Sequence, residues 1–218
     1  MDFKNYIVLK PWGYEYLIFE NEKIGIWWLH LNTHEATSLH CHPDKKTGLI
    51  LLKGRAKVSF LSDTLDMEPF SKIMIREGFF HSTQATSEDG IDVIEIEVPK
   101  NKENLVRMAD AYGRKGKKYE SIDECTLKTN GELWINDIIG EEKIYSGYGF
   151  YVEYLTKELL DTLLDEDIII MLSQEGIISD NGFSIVKVGD TTKVGVIKRL
   201  LYDFKIKEDS HVLIIRRV

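Results

Sequence analysis

Apolar residues in this chain come in short bursts separated by turn residues, and that rhythm limits the folds open to it. Residues 23–31, 49–52, 56–61, 72–75 and 92–98 are such bursts, rich in β-branched and aromatic types. Asp92-Val93-Ile94-Glu95-Ile96-Glu97-Val98 alternates almost strictly, the period of a strand with one buried face. Short strands at this spacing predict an all-β sandwich or barrel. With 218 residues the chain can build one large β domain or two small ones.

Residues 100–121 break the rhythm. They are polar and densely charged and read as a linker, with a short helical piece near 103–110. Strand-like bursts return at 141–154, 168–172, 176–179, 183–188, 193–202 and 211–216. Between them, residues 156–164 carry Leu159, Leu160, Leu163 and Leu164 behind Thr156, the pattern of a short amphipathic helix with Thr156 as its N-cap. The reading is therefore two domains, 1–116 and 117–218. The halves look weakly alike. Residues 51–56 followed by 72–78 resemble 171–176 followed by 183–190, an apolar strand into a turn and then a strand ending in glycine.

The formal net charge of −8 argues against general nucleic-acid binding, which needs basic residues to replace phosphate counterions. A local basic cluster could still hold a small anion. Two cysteines, Cys41 and Cys125, are too few for a disulfide framework and suit a reducing compartment. Residues 1–10 lack the apolar core of a signal peptide, and no apolar run reaches the ~20 residues of a membrane helix. The expectation is a cytoplasmic protein with no membrane partner.

The chemistry-bearing pattern is His40-Cys41-His42. On a strand, positions i and i+2 share a face, so two imidazoles can meet one metal ion while Cys41 points the other way into packing. His81 follows another strand-like run and offers a third nitrogen. Neutral imidazole is a borderline ligand suited to Zn, Fe, Ni or Cu, and the expected cofactor is a divalent transition metal such as Zn, Fe, Mn or Ni.

Taken in order, several motifs resemble the cupin superfamily, and more closely the C-terminal domain of type II mannose-6-phosphate isomerases. They are Lys10-Pro11-Trp12-Gly13, Ser38-Leu39-His40-Cys41-His42, Gly54-Arg55-Ala56-Lys57-Val58, Lys72-Ile73-Met74-Ile75 with Gly78 and His81, Ile94-Glu95-Ile96-Glu97-Val98, and Leu105-Val106-Arg107-Met108-Ala109-Asp110-Ala111-Tyr112-Gly113-Arg114. The resemblance covers residues 8–116, about half the chain. It implies a double-stranded β-helix, a cupin jelly-roll barrel with a metal in one open end. With the repeat, it implies a bicupin whose second barrel is degenerate, since 122–218 holds only His211 and no such histidine pair. The family's ligands are two histidines, a glutamate and a third histidine. His40, His42 and His81 match the histidines, but Thr47 stands where the glutamate is expected. Asp44 could lend a carboxylate if its loop folds inward; otherwise three histidines remain, as in three-His cupin dioxygenases.

The implied activity is metal-assisted interconversion of aldose and ketose on a sugar phosphate, or related chemistry on a nucleotide sugar, in carbohydrate or surface-polysaccharide biosynthesis. The alternatives are a sugar-binding cupin without turnover and a three-His iron-dependent dioxygenase. A homodimer is expected by the same resemblance. Arg107, Asp110, Tyr112, Arg114 and Lys46 are the candidate substrate contacts, with Lys45 beside Lys46 adding positive charge. Trp27, Trp28 and Phe80 could stack on a sugar ring or simply pack. Glu95 and Glu97 share one strand face. They act as base or ligand if that face lines the barrel, although charged residues at alternating positions usually face solvent.

Overall fold

A computed structural model describes residues 2–117 and 119–218; Met1 and Lys118 lie outside the described residues. The chain divides into two compact units, Met1–Glu132 and Leu133–Val218. The division falls well beyond residue 116, where the sequence suggested it. The reason is a strand at Cys125–Leu127 that pairs with the first strand of the chain, Val8 opposite Cys125 and Tyr6 opposite Leu127.

The first unit is built from β1 (Tyr6–Lys10), β2 (Gly13–Glu20), β3 (Gly25–Leu31), β4 (Leu39–Cys41), β5 (Lys46–Lys53), β6 (Ala56–Ser59), β7 (Thr64–Met67), β8 (Lys72–Ile75), β9 (Ser82–Ala85), β10 (Ile91–Val98), β11 (Val106–Ala109) and β12 (Cys125–Leu127). One antiparallel sheet runs β12-β1-β2-β3-β10-β5-β8. The opposing strands run β7-β6-β9, and bridges at Ala36–Gln84 and His40–His81 link them to the pair β4-β11. Two facing sheets in which β3, β5 and β10 oppose β4, β6 and β9 make the expected double-stranded β-helix. Gly54 turns β5 into β6 at φ +80°, and a Cβ there would come within 2.4 Å of the Gly90 carbonyl oxygen, so only glycine fits the corner.

Residues 103–110 are not helical. Val106–Ala109 is β11, placed along the edge of β4 with Arg107 opposite His40. The unsatisfied edge of β4 decides the matter over any local preference.

The second unit contains β13 (Lys143–Tyr145), β14 (Tyr148–Tyr154), α1 (Lys157–Thr162), β15 (Ile168–Met171), β16 (Glu175–Ile178), β17 (Ser184–Lys187), β18 (Thr191–Lys193), α2 (Val194–Leu200), β19 (Lys205–Ile206) and β20 (His211–Arg217). Thr156 caps α1 as expected, its Oγ1 accepting from the Leu159 N–H at 3.1 Å. Residues 193–202, expected as a strand, hold α2 instead. Val194 and Ile197, one turn apart, are both buried in the unit's apolar core with Leu160, Ile169, Met171, Val212 and Ile214.

Strand pairing makes the repeat explicit. Sheet order β13-β14-β20-β15-β18 reproduces β2-β3-β10-β5-β8, and β17-β16-β19 reproduces β7-β6-β9. The second unit is thus a degenerate version of the first barrel. The equivalence differs by one strand from the sequence comparison: residues 184–187 take the place of β7, and β18 that of β8. The unit also departs where ligands would stand. Helix α1 occupies the place of β4 between β14 and β15, and the two-residue β19 replaces β9.

Candidate metal centre

Strand β4, which carries His40 and ends one residue before His42, and the bridge that places His81 just ahead of β9 position the three histidines. His40 and His81 exchange both backbone hydrogen bonds, at 3.0 and 2.8 Å, which sets their side chains side by side. Ring centroids lie 4.5 Å apart for His40–His81, 4.9 Å for His40–His42 and 5.6 Å for His42–His81. One donor atom from each falls within 4.8 Å of the others, and all three residues are buried.

Each ring is oriented by a backbone carbonyl. His40 Nδ1 donates to Ser38 O at 2.7 Å, His42 Nδ1 to Asn104 O at 2.6 Å, and His81 Nδ1 to Phe79 O at 3.0 Å. Those bonds fix the tautomer that leaves every Nε2 with its lone pair, the arrangement typical of ligating histidines. His42 Nε2 is buried without a hydrogen-bond partner. Such an orphan costs roughly 1–3 kcal/mol unless something binds it. The residues therefore fit a divalent transition metal. Burial holds all three imidazoles neutral; at His40 the closeness of the His81 ring disfavours a second proton further, and at His42 and His81 Lys45 pushes the same way. Cys41 points away into packing, its thiol pushed up by burial.

Thr47 lies opposite Glu97 across β5 and β10, hence on the interior face, and its Oγ1 is also buried without a partner. Asp44 does not fold inward. It is exposed and exchanges hydrogen bonds with Asn104, accepting from Nδ2 at 2.7 Å. The Asn104 loop thus anchors the ring of His42 from outside the barrel.

Behind the histidines lies a chamber of about 50 Å³ lined by ionised side chains. Glu95 and Glu97 point into it, not to solvent, and both are buried. The lysines that make this tolerable come from distant segments. Lys45 Nζ donates to Glu97 at 2.5 Å. Lys102 Nζ sits 3.0 Å from Glu95, 3.1 Å from Glu97 and 3.4 Å from Glu15, and 4.0 Å from the centroid of the Trp27 ring. Lys10 contacts Glu15 at 3.6 Å, and the Tyr119 hydroxyl donates to Glu15. Burial alone would raise all three carboxyls. Lys10 and Lys102 nevertheless hold Glu15 down at about 2, and Lys102 and Lys45 hold Glu97 below the usual range. At Glu95 burial wins and the carboxyl is pushed up.

Glu15 therefore gives a sign-definite pH dependence. Its stabilisation is complete above the unfolded value of about 4.3 and is lost as pH falls toward 2. Urea unfolding of Glu15→Gln is expected to show a shallower loss of stability between about pH 4 and pH 2 than the parent. Equal slopes would assign the acid limb to other groups.

The candidate substrate contacts separate. Arg107 and Arg114 line the chamber. Lys46 is half-buried and does not line it, whereas its neighbour Lys45 does. Asp110 and Tyr112 act as a clasp. Asp110 accepts from the Arg114 guanidinium at 2.8 Å and from the backbone N–H groups of Tyr112 and Arg114. The Tyr112 hydroxyl donates to Glu35. Trp28 packs against Tyr16, while Trp27 lines a wider cleft of about 550 Å³ that shares Glu97, Lys102 and Tyr119 with the histidine chamber. Sequence reasoning missed Lys10, Glu15, Lys102 and Tyr119. Their one visible signal is Glu15, a charge set among the aromatic residues of β2, whose other charge, Glu20, stands at the strand's end.

No family model matches the chain, and no curated protein matches it. Among solved structures, KdgF from Halomonas sp. aligns over 44% of this chain and 89% of its own, at 12% identity and a TM-score of 0.42. A Klebsiella pneumoniae protein with a double-stranded β-helix domain aligns over 50% and 89%, at 12% identity and a TM-score of 0.40. A cupin-2 domain protein from Shewanella frigidimarina aligns over 39% and 79%, at 17% identity and a TM-score of 0.36. The strand pairing described above carries the assignment of a double-stranded β-helix. Among the described residues no helix is long and apolar enough to cross a membrane.

Proposed function

We propose that the chain is a metal-dependent cupin enzyme acting on a sugar phosphate or nucleotide sugar by proton transfer beside a carbonyl, as isomerases and epimerases do. The observation that carries the reading is the trio of neutral imidazoles, each fixed by a carbonyl, with the Nε2 of His42 buried and unpartnered. His40, His42 and His81 would hold the ion, which supplies Lewis acidity for a carbonyl or hydroxyl oxygen. Glu95 is the candidate proton carrier. It lines the same chamber, and burial raises its carboxyl toward the working range of a general base. The chamber admits only the reacting end of a sugar. The adjoining cleft, walled by Trp27 and Tyr119, has room and aromatic faces for the rest.

Elemental analysis of untagged protein tests the foundation. About one equivalent of a transition metal is expected in the parent and none in His40→Ala. With that metal loaded, exchange of solvent deuterium into a hexose phosphate is expected, reduced about 10²–10⁴-fold in Glu95→Gln. A parent without metal, or loaded protein inert toward every hexose and heptose phosphate and nucleotide sugar tried, would sink the proposal. Thr47 favours a second reading, a three-His iron oxygenase, because the donor set lacks a carboxylate. That reading requires oxygen consumption with Fe(II) and none with Zn(II).

A further inference from the structure

The charges around the histidine chamber already balance within the chain. Lys10, Lys45, Lys102, Arg107 and Arg114 line it as cations, and Glu15, Glu95 and Glu97 as anions. Behind them Glu120 pairs with Lys10, Arg107 and Arg114, and Asp110 with Arg114. Five positive groups thus meet five negative ones, and the wall facing the chamber is itself net basic. Neutral imidazoles add no charge, and neither does Thr47, whose interior Oγ1 lacks a partner. Both Glu95 and Glu97 are engaged by lysine and are not among the group that could ligate.

A divalent cation on three imidazoles would therefore bring two uncompensated charges into a low-dielectric space beside Lys45 and Arg107, which line the chamber together with His40 and His42. Resting on the metal reading above, we propose that this centre takes up its metal together with a small oxyanion, a carboxylate or phosphate oxygen. The anion supplies the negative charge that the three imidazoles and the interior Thr47 hydroxyl do not, from the chamber whose wall carries Lys45 and Arg107. Metal and anion are then coupled ligands, each tightening the other by the same factor. The oxyanion is either a free anion or the acidic end of a larger substrate.

The test is Zn(II) affinity of the full chain, read by competition with a chromogenic chelator in a non-coordinating buffer. Acetate, inorganic phosphate, gluconate or glucose 6-phosphate is added in separate arms, with free zinc corrected for binding to each. At least tenfold tightening is expected in one or more arms. Tightening by acetate or phosphate identifies a free anion, and tightening by gluconate or glucose 6-phosphate alone identifies the end of a larger molecule. Thr47→Glu is expected to bind zinc without anion as tightly as the parent binds with it, and to lose the response. Because that variant adds a buried carboxylate and could misfold, the parent's Co(II) absorption spectrum provides a second readout, expected to change on adding the effective anion. Zinc bound equally well in every arm, with an unchanged cobalt spectrum, overturns the coupling while leaving the metal site standing. No zinc or cobalt bound in any arm overturns the metal reading itself.

Discussion

Lys102→Met is expected to destabilise the protein by about 3–5 kcal/mol, the usual cost of removing one partner from a buried ionic cluster. Lys102 is the common cation of Glu15, Glu95 and Glu97, and all three carboxylates are buried. Methionine keeps the packing against Trp27 and removes only the charge. The three carboxylates then have Lys10 and Lys45 to share, so at least one must take up a proton on folding. The variant's deficit should accordingly shrink as pH falls from 7 toward 5, because protons then neutralise the excess carboxylate at less cost. Urea unfolding at both pH values reads this directly. A control is Lys100→Ala, which removes an exposed pair with Glu20 and should cost under about 1 kcal/mol. A Lys102→Met deficit as small as that of the control would show the cluster to be solvated and the chamber wet.

Ile214→Ala is the second large effect, expected at about 2–5 kcal/mol. Ile214 is fully buried in β20, between Tyr151 on β14 and Ile169 on β15, in the core shared with Met171, Val194 and Ile197. Helix α2 and strands from both sheets converge there, so little can collapse into the space left behind. Thermal or urea unfolding should report the loss. A change under about 1 kcal/mol would mean that the core relaxes around the vacancy and is only loosely packed there.

The fold was legible where period and apolarity agreed. Residues 72–75 and the alternating run ending at Val98 are strands as expected, and the histidine pair works because i and i+2 share a strand face. What failed was the sense of inside and outside. Glu95 and Glu97 look solvent-facing because period 2 shows which residues share a face, not which face is buried. That choice rests on Lys45 and Lys102, distant partners that no local window links to them. Residues 194–200 are rich in β-branched types and read as strand; only the core they complete makes them a helix. The orientation of the imidazoles was not readable either. Ser38, Phe79 and Asn104 supply backbone carbonyls, and a carbonyl leaves no mark on residue identity.

The duplicated strand order raises a question of self-recognition during folding. A chain that writes one pairing scheme twice offers β5 two central partners, β10 and β20, and a swap would preserve every backbone ladder. The side chains forbid it. Where β10 turns Glu95 and Glu97 inward, β20 turns Val212 and Ile214. Seating β10 in the second barrel would bury two carboxylates among leucine and isoleucine, and seating β20 in the first would strand Lys45 without Glu97 and leave Lys102 with Glu15 alone. The polar interior of one half and the oily interior of the other thus act as mutually exclusive keys, and each copy rejects the other's central strand.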